Sequence, residues 1–403
     1  MRTVHRILAL FVVVFLLYLG VTGSLIQFTD LRTLLTHAPA ENPNMMAIRE
    51  GIDGTADFQV ILNSDYTAAA LPDSLDAAAA LARVTAAARA AIGSAPIQYV
   101  ELRMVDGVPV GQARSDARLL RFDVGSGTLL SEGKPPRAAG GAFGRSQRNT
   151  FKGLHRMTAI SNWTLWINVL VGVSLCVLLV TGIVVYLRLL AARRKAGRPA
   201  LFWSAGGTWR SLHRAISILS AVFLLVVALS GSWLAVESLG LAINGAIARA
   251  AAANGAAPVV TDGNGPVHDD ELPAMLATTL SAYHRAVPDT PMRVLRLRSY
   301  GGMPQGVVVT GEAEAHQLVF NATTGAPASE TEPGYPRQNF PFGWQAHQIA
   351  KQVHRGDVIG MPGRWMDMFA GLSLIYLTVS GAIMYFDMWR RRRQSGNSGA
   401  LWK

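Results

Sequence analysis

The chain has 403 residues, half of them hydrophobic and 16% charged, with 37 Lys and Arg against 26 Asp and Glu and a formal net charge of +11. Soluble domains carry roughly 25% charged residues, so this composition points to a membrane protein and excludes a disordered chain. A single cysteine, Cys176, excludes an internal disulfide framework, a Cys-ligated iron–sulfur cluster and a four-cysteine zinc site, and the lack of CxxCH excludes covalently attached c-type haem.

Four stretches are long and apolar enough to cross a bilayer, which needs about 20 such residues. The first, residues 7–26, follows Arg2 and Arg6. It reads as a retained span rather than a cleaved signal peptide, because it is long for that role and no small-x-small site follows closely. The next stretch is polar and mixed. It predicts a helix over 73–92, then Pro96 and a strand carrying Leu102-Arg103, then a strand running into an Asp-x-x-x-Gly turn over 121–128. His155-Arg156 precedes the second span, 163–187. A short basic linker with Arg188, Arg193, Arg194, Lys195, Arg198 and Arg210 leads to His213-Arg214 and the third span, 215–236. A second outer stretch repeats the plan: a helix over 269–286, Pro291, a strand with Leu295-Arg296, and an Asn-x-x-x-Gly turn over 319–326. His354-Arg355 then precedes the fourth span, 368–386, which ends in Arg390 to Arg393.

Aromatic residues flank the spans as an interfacial belt: Trp163, Trp166, Trp209, Trp365 and Trp389. The basic clusters at the N-terminus, the linker and the C-terminus predict both termini and the linker inside, and both long segments outside. Much of the net charge is therefore a topology signal, and no nucleic acid is expected as a partner. The expected divisions are 1–28 (first span), 29–154 (first outer domain), 155–190 (second span with an outer extension), 191–210 (linker), 211–237 (third span), 238–353 (second outer domain), 354–389 (fourth span with an outer extension) and 390–403 (basic tail).

The chain reads as written twice. His5-Arg6 aligns without a gap on His213-Arg214, and Gly23-Ser24 on Gly231-Ser232. His155-Arg156 aligns on His354-Arg355, Trp166 on Trp365, Gly182 on Gly381 and Tyr186 on Tyr385. The expected fold is thus a membrane α-helical protein of four spans in two repeated helix pairs. Each pair encloses a small α+β domain, and the pairs are related by a pseudo-twofold along the membrane normal. That symmetry sets the first span against the third and the second against the fourth.

The His-Arg starts of the spans, the Thr/Ser-Gly that closes the first and third, and the paired Asp/Asn-x-x-x-Gly turns resemble the PepSY-associated transmembrane family of bacterial inner-membrane proteins. Some members of that family are haem-b-containing reductases of ferric siderophores, and others have no assigned activity. The resemblance implies a periplasm-facing haem protein with one or two haem b groups. His5 with His213, and His155 with His354, would be axial ligand pairs across the symmetry axis. Arg6, Arg214, Arg156 and Arg355 would neutralise haem propionates. The plainer reading makes each His-Arg an interfacial anchor. Positive-inside bias accounts for Arg6 and Arg214 but not for Arg156 and Arg355.

A straight helix would carry His155 roughly 12 Å beyond the Trp163 belt, which puts the outer pair at or above the membrane surface. His347, two turns before His354, is a secondary ligand candidate, its plainer reading a surface histidine. His37, His268, His284 and His316 read as solvated. Asp367 is either an intramembrane functional acid or an interfacial carboxylate at a helix start, and Cys176 a small buried hydrophobe.

No nucleotide, flavin, P-loop, zinc-protease or serine-hydrolase motif occurs, so no catalytic residue is assigned. Electrons for a ferric-siderophore reductase would come from membrane quinol or a reductase partner. The competing expectation is a haem-free membrane anchor whose PepSY-type domains bind a peptide or partner protein. A transporter is weakly supported, since the spans lack charged pairs and broken-helix signals.

Overall fold

The computed structural model describes residues 2–39, 42–53, 58–135, 146–158, 161–198, 200–253, 264–310, 317–328, 342 and 344–396. Among the described residues four helices are long and apolar enough to cross a membrane: α1 (Arg2–Leu35), α5 (Leu165–Lys195), α6 (Thr208–Ala253) and α9 (Met361–Gln394). Each is longer than its apolar run, because the backbone hydrogen-bond ladder continues past the point where hydropathy falls. At 1.5 Å per residue the 46 residues of α6 reach about 69 Å, well beyond a hydrocarbon layer of about 30 Å.

Each spanning helix packs on two others. α1 and α6 both lie against α5 and α9. The contact core holds Val12 and Leu16 of α1, Val171, Leu175 and Leu178 of α5, and Ala228 of α6. Glycine sets the closest approaches. A Cβ on Gly172 would meet the Ser232 hydroxyl at 2.6 Å, and one on Gly371 would meet the Ser24 hydroxyl at 2.6 Å. Small residues let helix backbones approach where lipid supplies no hydrophobic drive.

On one side of the bundle, called here the sheet side, the two long segments build one structure and not two. The first contributes α2 (Pro43–Asp53), α3 (Ala77–Ile92), β1 (Tyr99–Val105), β2 (Val108–Ser115), β3 (Arg118–Asp123), β4 (Leu129–Gly133) and α4 (Gln147–His155). The second contributes β5 (Asn264–Gly265), α7 (Leu272–Ala286), β6 (Met292–Tyr300), β7 (Met303–Thr310), β8 (Gln317–Asn321) and α8 (Trp344–His354).

The strands form a single eight-stranded antiparallel sheet in the order β4-β3-β2-β1-β6-β7-β8, with β5 beside β6. The two Leu-Arg strands meet at its centre, where Leu102 faces Leu295 and Glu101 faces Arg296. α3 and α7 cover one face through a common core that includes Val84, Leu102, Leu295 and Tyr283, all fully buried. The expectation of two separate outer cores is corrected here: pairing of β1 with β6 joins them into one.

Both predicted turns form. Asp123 Oδ1 accepts from the backbone N–H of Ser126 at 2.6 Å, and Asn321 Oδ1 from that of Thr324 at 3.0 Å. The glycines that close them, Gly127 and Gly325, sit at φ 75° and 72°, where an L side chain is strained. Beneath the sheet, Arg103 is 1% exposed and is held by Glu101 at 2.6 Å and Asp65 at 2.9 Å, so this buried charge is paired on both sides.

Candidate functional site: four seated histidines

The second span does not extend straight outward to His155. α4 ends at His155, Met157 takes φ 56°, and the chain reverses before α5 begins at Leu165. The same happens after His354, where Gly356 and Gly360 have φ 71° and 63° before α9. A Cβ on Gly356 would lie 2.4 Å from the Gly363 carbonyl, so this reversal requires glycine. The expected outward extensions at 155 and 354 are corrected accordingly. Instead of standing beyond the Trp163 belt, α4 folds back onto α1 and α8 onto α6.

This reversal seats each histidine on a Thr/Ser-Gly step of a neighbouring helix. His155 Nδ1 lies 2.9 Å from Thr22 Oγ1, with its Cε1 3.3 Å from where a Gly23 Cβ would be. His354 Nδ1 lies 3.2 Å from Ser230 Oγ, over Gly231. His5 Nδ1 lies 3.0 Å from Thr181 Oγ1, over Gly182. His213 Nδ1 lies 2.7 Å from Ser380 Oγ, over Gly381.

In all four cases the hydroxyl donates its hydrogen to a carbonyl of its own helix: Thr22 to Tyr18, Ser230 to Val226, Thr181 to Val177 and Ser380 to Leu377. The hydroxyl must then accept from the ring. That puts a hydrogen on Nδ1, and in the neutral ring it leaves the lone pair on Nε2. His354 Nδ1 also meets the Val227 carbonyl at 3.2 Å, which demands the same hydrogen.

His155 and His354 come together, with ring centroids 6.4 Å apart and planes inclined at 37°. Burial, then the neighbouring His354 and the Arg156 charge, pushes His155 down to about 4, so it is neutral at physiological pH. His5 and His213 sit on α1 and α6 at the other end of the bundle, each against a hydroxyl of a neighbouring spanning helix. From His5 to Thr22 is 17 residues of α1, about 26 Å along the helix, which separates the two levels.

The four arginines diverge. Arg214 donates to the Trp203 and Ala205 carbonyls at 3.0 and 2.8 Å. Arg355 pairs with Asp357 at 3.1 Å. Arg156 is exposed and donates to the Ser238 hydroxyl at 3.1 Å, while Arg6 makes contacts of its own. The expectation that all four stand ready for an acidic group is corrected for Arg214 and Arg355, which the protein already engages.

His347 is not the solvated surface residue expected. Its Nδ1 lies 2.8 Å from Oε2 of the fully buried Glu237, and burial together with the Lys351 charge pushes its pKa down to about 3. Asp367 accepts a hydrogen bond from Gln27, which ties α9 to α1. His37, His268 and His284 are exposed, as expected, and His316 lies outside the described residues. Among the described residues no group of three or more His, Cys, Asp and Glu could hold a bare metal ion.

Sequence reading missed the hydroxyl seats Thr181 and Ser380, and also Asp30. Buried Asp30 joins Arg148 at 2.8 Å to Arg364 at 2.9 Å. The seats had a signal in the spacing. His to Thr/Ser is 17 residues in both α1 and α6, and 26 residues from His155 to Thr181 and from His354 to Ser380.

No curated protein matches the chain. The family model described as the PepSY-associated TM region matches residues 2–388, and the chain therefore belongs to that family as a membrane protein with a folded α+β segment between its spans.

Proposed function

We propose that this protein is a haem b electron-transfer protein of the bacterial inner membrane that reduces an oxidised acceptor on the sheet side, a ferric siderophore being the acceptor class first in line. The termini and basic linker would face the cytoplasm and the sheet the periplasm. The single observation that carries the reading is the approach of His155 and His354. Two imidazoles sharing one metal ion, with metal–nitrogen bonds of about 2 Å, hold their ring centres roughly 6 Å apart; these stand at 6.4 Å.

The donor set fits. The hydroxyl argument puts a hydrogen on Nδ1 of both rings, burial disfavours their charged forms, and a neutral ring of that tautomer has its lone pair on Nε2. Hydrogen bonding of the far ring nitrogen fixes ring orientation, as is usual for metal-ligating histidine. His155 and His354 would hold one haem, and His5 with His213 a second at the opposite level. The bound group would supply the one-electron chemistry, while the protein sets ligand orientation and a low-dielectric surround. Arg156, exposed beside the outer pair, is the arginine best placed to meet an acidic edge. The matching 17- and 26-residue spacings support a duplicated, pseudo-twofold bundle. The test is an absorption spectrum, with haem counted per chain, for protein expressed with haem in excess.

A second reading has its own support. Family membership and the folded segment account for a haem-free anchored module that binds a peptide or partner protein. β4 closes one edge of the sheet with every residue exposed, including Leu129 and Leu130. An open edge of that kind can accept an added strand. This reading expects a colourless protein and partner capture that is lost when Leu130→Lys is introduced.

A further inference from the structure

Beside the outer half of α1 lies a cleft of about 480 Å³ that the proposed electron transfer does not use. One face of α1, with Thr36 just past its end, forms its wall: Leu25, Phe28, Thr29, Arg32, Thr33 and Thr36. The spacing of three and four residues places all six on one side of the helix. The wall changes character along its length. Leu25 and Phe28, at the end nearer the apolar run, are 36% and 55% exposed. Arg32 stands one turn further out, and Asn42, Asn44 and Gln147 close the cleft around it.

The chemistry at that outer end is one-sided. Asn42 Oδ1 accepts from the Asn44 and Met45 backbone N–H groups at 2.9 and 3.4 Å, capping α2. Asn44 Oδ1 accepts from the Arg148 backbone N–H at 3.1 Å. Both amide oxygens are thus engaged by the protein, and among the described residues both NH₂ groups remain as donors. The Thr33 and Thr36 hydroxyls spend their hydrogens on the Thr29 and Arg32 carbonyls. Arg32 has no partner among the described residues, and the described lining contains no carboxylate. Positive-inside bias does not call for an arginine at this end of a span.

We propose that this cleft binds an anionic bilayer phospholipid. Its phosphodiester would meet Arg32 and the amide donors of Asn42 and Asn44, and an acyl chain would run down past Phe28 and Leu25 into the membrane. An amphiphile matches the wall because one end of it is donor-rich and cationic and the other apolar, at the level where a spanning helix leaves hydrocarbon. This site is independent of the histidine pairs.

The test uses detergent-purified full-length protein and native mass spectrometry, with phosphatidylglycerol, phosphatidylcholine or inorganic phosphate added. Phosphatidylglycerol should be retained over phosphatidylcholine. Arg32→Gln should weaken its retention about tenfold, and Arg32→Lys should keep most of it. Inorganic phosphate should not displace the lipid. Equal retention by wild type and Arg32→Gln, equal retention of the two lipids, or displacement of lipid by inorganic phosphate would each overturn the proposal. Arg32 is exposed near a helix end, so the variants should unfold at the wild-type temperature, which separates lost binding from lost folding.

Discussion

His155 and His354 reach each other from opposite halves of the sequence, 6.4 Å between ring centroids, and each is steadied by a hydroxyl on a different spanning helix. Each ring is held by a spanning helix of its own half, His155 by α1 and His354 by α6. The contact therefore depends on how α4 folds back onto α1 and α8 onto α6.

The hydroxyl seats should be separable from the ligands. Thr22→Val removes the acceptor at His155 Nδ1 but keeps the side-chain shape. Loss of such an outer hydrogen bond commonly weakens metal binding by roughly 10- to 100-fold. The expected outcome is protein that folds normally yet loses haem on dilution faster than wild type, measured as Soret absorbance against time. Unchanged retention would show that the hydroxyl does not orient the ring.

The glycine beside each histidine gives a steric counterpart. A Cβ on Gly231 would stand 2.9 Å from His354 Cε1, closer than real contacts allow, whereas on Gly381 the distance to His213 Cε1 is 3.7 Å. Gly231→Ala should therefore disturb the seat of His354, and Gly381→Ala should leave that of His213 nearly intact. Haem stoichiometry for the two variants reads this directly, with the larger deficit expected for Gly231→Ala.

Acid should act through His155. Its pKa lies below the ordinary histidine value, at about 4, mainly because burial disfavours the charged ring. Between about pH 6.5 and pH 4 the unfolded chain binds the proton and the folded chain does not. Stability from this group is thus complete above pH 6.5 and lost as pH falls through 4. In haem-free protein, thermal unfolding midpoints should drop across that window, and His155→Gln should lessen the drop.

Asp30 anchors the sheet side of the bundle. It is 1% exposed and bridges Arg148 and Arg364, while Arg364 also meets Asp357 at 2.6 Å. Removing one partner of a buried ion pair strands the other charge, at a cost of about 3 kcal/mol or more. Asp30→Asn should lower the unfolding temperature by several degrees without altering any haem absorption maximum.

The four spans were legible because an apolar run of about 20 residues has few alternatives. The Leu102-Arg103 and Leu295-Arg296 strands were legible too, but their pairing was not, since pairing of distant strands leaves no local periodicity. The His pairs were visible as repeated His-Arg steps. Their seats were not singled out, because Thr181-Gly182 and Ser380-Gly381 read as small residues favouring helix packing. The reversal at Met157 escaped because nothing in the sequence there marks a non-glycine residue for positive φ. Glu237 was passed over within an apolar run, although it is the partner that buries His347.

The most direct measurement is the reduced-minus-oxidised absorption spectrum of full-length protein purified after haem-replete expression, taken for wild type, His354→Ala and His213→Ala. Two b-type haems are expected in wild type, with about half the absorbance lost in each variant. A wild-type spectrum with no Soret or α band would contradict the account and leave the anchored binding module in its place.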